Sequence, residues 1–143
     1  MLLKDARTFS ATSFRRASNA SFYPLPYFDD VLEGVEGAAT VADIETLLDF
    51  AQIWLLEVCK NPSAQTIVHC AAGVSRSAAS ALLLLVLYFE DYLTAATHLF
   101  RVAPRVVPNA WICRLIFEKF GPAYGSDILE ALAKGKEAGS HTA

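Results

Sequence analysis

The sequence predicts an α/β domain, a small and mostly parallel central sheet flanked by helices. Three observations predict it. The short β-branched run Thr66-Ile67-Val68-His69 reads as a buried parallel strand, because a strand covered on both faces has no polar alternation. A glycine turn follows, and then an apolar stretch over 78–89 that only Ser80 interrupts. At 12 residues this stretch is too short to cross a bilayer and reads as a buried helix. Further segments with helical spacing lie on both sides, so helices wrap a sheet of few strands.

The chain has 143 residues, enough for one domain, and its 54% apolar and 19% charged residues exclude a disordered or linker protein. A net charge of −3 gives no general attraction to nucleic acid or to an anionic membrane, so any anion must be held by a local site. Cys59, Cys70 and Cys113 form an odd set without C-x-x-C spacing. They indicate neither a disulfide framework nor structural zinc, and a reducing, cytoplasmic location is expected. Neither a metal nor an organic cofactor is expected.

In chain order, residues 1–21 are polar and Ser-rich, and they are expected to form a loop-rich arm or an edge segment. Lys4 and Asp5 break any secretory pattern. Arg7, Arg15 and Arg16 among many Ser and Thr overlap in composition with a transit peptide, but the arm is the preferred reading. Residues 22–28 are aromatic, and Pro24 and Pro26 confine them to an edge strand or to part-irregular structure. Residues 29–37 are acidic and contain glycine, as loops do. Thr40 with Asp43 resembles a capping box, and Ile44, Leu47, Leu48, Ala51, Leu55 and Val58 follow at helical spacing, predicting a helix over 41–59. Asn61-Pro62-Ser63 ends it. After the strand, helices are expected from about Ser75, over 91–102, about 109–120 and 126–134, with a frayed, flexible tail over 135–143. The main domain is thus expected over 22–134.

The chemistry concentrates in His69-Cys70-Ala71-Ala72-Gly73-Val74-Ser75-Arg76-Ser77, between strand and helix. A short loop turning from a strand into a helix aims its backbone N–H groups inward and forms an anion cup, to which the helix dipole adds partial positive charge. Gly73 supplies the backbone freedom for such a turn. Arg76, in the first helical turn, carries a planar fork that can bind two phosphate oxygens at once. A thiol at Cys70, at the floor of the cup, ionises easily and is placed for in-line attack on phosphorus. A cysteine before an Ala-rich helix can also be a plain buried hydrophobe, but Gly73 and Arg76 beside it argue otherwise. Cys59 and Cys113 fall on apolar helix faces and read as core, while His98 and His141 read as solvated.

This segment resembles the signature H-C-x-x-G-x-x-R-[ST] of the cysteine-dependent protein tyrosine phosphatase superfamily, matched at His69, Cys70, Gly73, Arg76 and Ser77. Ala72 to Ser77 look most like the dual-specificity branch, and the likeness extends from about Phe22 to about Leu132, in the manner of compact bacterial members. The resemblance implies a phosphotyrosine-phosphatase-like fold and a phosphomonoester hydrolase acting through phosphocysteine. Cys70 would be the nucleophile and Arg76 would bind the phosphoryl oxygens. Ser77 would assist the departing thiolate, and His69 would orient the loop. Ala71, Ala72, Gly73, Val74, Ser75 and Arg76 would supply the amide cradle, and Asn109 would brace it. The general acid of the family is an upstream Asp after a strand. Asp30, 40 residues before Cys70, fits that description and aligns better with related bacterial sequences than Asp29.

Family members usually have further strands before the acid, whereas only 21 residues precede Phe22 here. The sheet is therefore expected to be reduced at its N-terminal edge, rebuilt by residues 1–21, or shortened, and a second chain in a homodimer could cover the open edge. The uncharged Ala71, Ala72, Val74 and Ser75 argue against polyanionic inositol lipids. They leave phosphorylated proteins and small phosphomonoesters as substrates, with phosphate, sulfate or vanadate as ligands of the loop. Two other readings stand beside this one: a phosphate-recognising module with little turnover, and the sulfur or arsenate chemistry of other cysteine-loop enzymes.

Overall fold

A computed structural model describes residues 36–63, 65–70 and 73–141. Five α-helices are found there, α1 Val41–Lys60, α2 Arg76–Phe89, α3 Tyr92–Val102, α4 Ala110–Phe120 and α5 Ile128–Ser140, with a 3₁₀ turn at Gly121–Tyr124 between the last two.

The capping box expected at Thr40 and Asp43 forms. Thr40 Oγ1 accepts from Asp43 N–H at 3.3 Å, and Thr40 N–H donates to Asp43 Oδ2 at 2.7 Å. This reciprocal box satisfies two otherwise orphaned donors at the start of α1. Asp91 caps α3 by accepting from Thr94 N–H at 2.7 Å. Asn109 caps α4 through Ile112 N–H at 2.9 Å, and Asp127 caps α5 through Leu129 N–H at 2.7 Å. On α1, Ile44, Leu47 and Ala51 are buried.

The centre of the molecule is α2. Its residues 77 to 86 are all buried. A helix that is apolar on every side has to be covered on every side, and α1, α3 and α4 pack around it. The expected central sheet is therefore overturned: among the described residues there is no strand and the architecture is all-helical. The run 66–69 is neither helix nor strand, and an alternation is visible, with Val68 and Cys70 buried and Ile67 exposed. An extended segment becomes a strand only when a neighbour takes its backbone groups. Among the described residues no ladder forms, and Trp54 Nε1 donates to Thr66 Oγ1 at 2.7 Å and ties the segment to α1. The edge strand expected over 22–28 and the arm over 1–21 lie outside the described residues.

The C-terminal boundary is also corrected. The tail expected from Gly135 is helix as far as Ser140. Gly135 and Gly139 face α3 at close range. A Cβ at Gly135 would stand 2.6 Å from Ala96 Cβ and 2.8 Å from Thr97 N, and one at Gly139 would stand 3.0 Å from Phe100 Cβ. These glycines are what allow the two helix backbones to approach; neither one stops the helix.

Candidate functional site

The site forms where the segment 65–70 leads to α2. Cys70 ends the segment, with 8% of its surface exposed. Gly73 turns the chain with φ of 69°, a left-handed conformation that a side chain disfavours. That turn aims Gly73 N–H at Cys70 Sγ, 3.2 Å away. Ser77, in the first turn of α2 and buried, places its Oγ 3.2 Å from the same sulfur. Burial pushes the Cys70 thiol up. The Ser77 hydroxyl and the amides of Ser77, Gly73 and Val74 outweigh it and hold the thiol below its ordinary value of 9.0. Cys113 shows the effect of burial alone, its thiol being pushed up to about 12.

The loop is braced from the α3–α4 connection. Val107 N–H donates to Val74 O at 3.0 Å, and Asn109 N–H donates to Ser75 O at 3.2 Å. The expected bracing by Asn109 thus runs through its backbone, while its side-chain oxygen caps α4. Sequence reasoning missed Val107 as a brace, because a backbone bond carries no residue-type signature. It also missed Trp111, whose Nε1 donates to Ala39 O at 2.8 Å and ties the chain ahead of α1 to α4.

Arg76 is the first residue of α2 and half-buried, and its carbonyl accepts from Ser80 Oγ at 3.0 Å. His69 is half-buried beside Cys70. Ala71, Ala72, Asp29 and Asp30 lie outside the described residues. Two further expectations are corrected. Cys59 is exposed, because it falls on the outer side of the last turn of α1. His98 is half-buried, with its ring 5.3 Å from that of Phe89, and burial followed by the nearby Arg101 charge lowers its proton affinity. His141 is exposed, as expected. Cys59, Cys70 and Cys113 are all free thiols.

Among the described residues no group of three or more His, Cys, Asp or Glu is placed to hold a metal ion. No helix there is long and apolar enough to cross a membrane. No protein-family model, no curated protein and no solved structure matches the chain. The site is thus read from its own geometry. It is a sulfur of lowered proton affinity that accepts from Gly73 N–H beside the start of α2, six residues before an arginine.

Proposed function

We propose that the chain is a phosphomonoester hydrolase of the dual-specificity-phosphatase kind, acting through a phosphocysteine intermediate. The observation that carries this reading is the hydrogen-bonded Cys70 sulfur, with Gly73 N–H and Ser77 Oγ each at 3.2 Å, at the start of the helix that Arg76 opens. Groups that stabilise a thiolate there also suit the equatorial oxygens of a phosphoryl group, since both are anions facing amide hydrogens. The reading rests on this site and not on the overall architecture.

The Cys70 thiolate attacks phosphorus in line with the ester oxygen. An S–P bond forms as the P–O bond breaks, and the departing alkoxide or phenoxide takes a proton from a general acid. No Asp or Glu occurs between Lys60 and Glu90, so that acid comes from another segment, and Asp30 is the residue we assign to it. Water then attacks the phosphocysteine and gives a proton back to the Asp30 carboxylate, the S–P bond breaks with its electron pair returning to sulfur, and inorganic phosphate leaves. The Ser77 hydroxyl donates to the sulfur as it regains its charge. A nucleophilic thiolate of this kind persists in a reducing compartment such as the cytoplasm.

The test is hydrolysis of a chromogenic aryl phosphate. Wild type is expected to turn over and to be inhibited by vanadate, Cys70→Ser to lose essentially all turnover, and Asp30→Asn to lose the acid limb of the pH profile. Equal rates for wild type and Cys70→Ser would remove the reading. A second reading is favoured by the fact that the hydrogen bonds to the Cys70 sulfur, from Gly73 and with Ser77, and the loop braces from Val107 and Asn109 serve the binding of an anion as well as they serve turnover. In that case the chain binds phosphate groups without turning them over, and phosphate protects Cys70 from alkylation while no ester is hydrolysed.

A further inference from the structure

We infer that the outer face of α1 from Asp49 to Lys60 is a self-association surface, on which a second copy of this chain lies antiparallel. The inference is independent of the chemistry at Cys70. The first half of α1 is anchored by Ile44, Leu47 and Ala51, all buried. After Ala51 no residue of the helix is buried, although six of the nine residues 52–60 are apolar. Two of the six are large and exposed, Ile53 at 46% and Leu56 at 63%. At about 100° of rotation per residue they stand on the side of α1 opposite the three anchors. Asp49 and Lys60, both exposed, stand at the two ends of the same face. Positions 49, 53, 56 and 60 follow a 4-3-4 spacing, which is the seam spacing of paired helices.

Scattered apolar residues on a surface need no explanation. These four residues form a pattern that is its own complement. A twofold axis midway along the stripe sets Ile53 against the partner's Leu56 and Asp49 against the partner's Lys60, and each pairing occurs twice. A parallel pairing would set Asp49 against the partner's Asp49 and Lys60 against the partner's Lys60. The charges therefore choose the direction, and the apolar pair supplies the attraction. Within its own copy Lys60 reaches Glu57 only at 4.0 Å, between side chains 73% and 69% exposed, a contact that is readily exchanged. A helix of this length makes a seam of about 18 Å. So short a seam belongs with weak, transient associations.

The experiment is sedimentation equilibrium of the full chain at low salt, from micromolar to millimolar protein. Wild type is expected to pass reversibly from monomer to dimer, and Leu56→Glu to weaken association by about tenfold or more. Asp49→Lys and Lys60→Asp are each expected to weaken it too, because each sets like charges together at both ends of the seam. An equimolar mixture of these two variants is expected to associate as wild type does, because every end of the mixed pair is again complementary. The three positions are exposed, so circular dichroism should show each variant folded as wild type is. A wild type that stays monomeric overturns the inference, as does a dimer that Leu56→Glu leaves intact, which places the contact on another face. A monomer that Leu56→Glu destabilises also overturns it, and makes residues 1–35 of the same chain the cover of this face. A mixture that associates no better than either variant alone removes the antiparallel pairing and the inference with it.

Discussion

At Cys70, desolvation and hydrogen bonding pull in opposite directions. Burial alone would disarm the thiol, as it does at Cys113. The Ser77 hydroxyl is the largest of the groups that reverse this at Cys70. Ser77→Ala should therefore move the midpoint of the pH dependence of Cys70 alkylation upward, toward the ordinary 9.0, because the unionised thiol gains relative to the thiolate. In the proposed reaction the same change should slow turnover by roughly tenfold or more, the loss of one hydrogen bond to a charged group. Alkylation profiles and burst kinetics check the two effects. Cys70, Gly73 and Ser77 come together as the sequence suggested because each has a local job: a thiol, a glycine for positive φ, a hydroxyl in the first turn of α2. Val107 was not legible, since it acts on the loop through its amide, and any residue but proline has one.

Among the elements, the cap at Thr40 was read correctly and the glycine at 135 was not. Thr40 with Asp43 and Asn109 announce helix starts because their side chains satisfy donors within three residues of themselves. A glycine is ambiguous in sequence: it ends a helix or admits a neighbouring backbone. At Gly135 the neighbour is α3, which the chain leaves 33 residues earlier at Val102. The distinction can be tested. In an open helix Gly→Ala stabilises by up to about 1 kcal/mol. At Gly135 the new methyl would meet Ala96 Cβ at 2.6 Å and a backbone nitrogen at 2.8 Å, so Gly135→Ala should instead destabilise by about 1–3 kcal/mol in chemical denaturation. The run 66–69 failed for the opposite reason. Its β-branched residues favour a strand, but a ladder is a property of two segments, and periodicity in one of them says nothing of the other.

At the scale of the described residues, the Cys70 loop and the core share one element. The first turn of α2 carries Arg76 and Ser77, and the remainder is the most enclosed helix among the described residues. Leu83→Ala, at a fully buried position, should cost about 2–5 kcal/mol. Amides of α2 should be among the last to exchange with deuterium. The two tryptophans of the chain stand at the joints of this arrangement. The indole N–H of Trp54 holds the segment leading into Cys70, and that of Trp111 holds the approach to α1, next to the residue that braces Ser75. The protein consequently carries its own optical gauge: indole emission responds when either seam around the sulfur loosens, with no label attached.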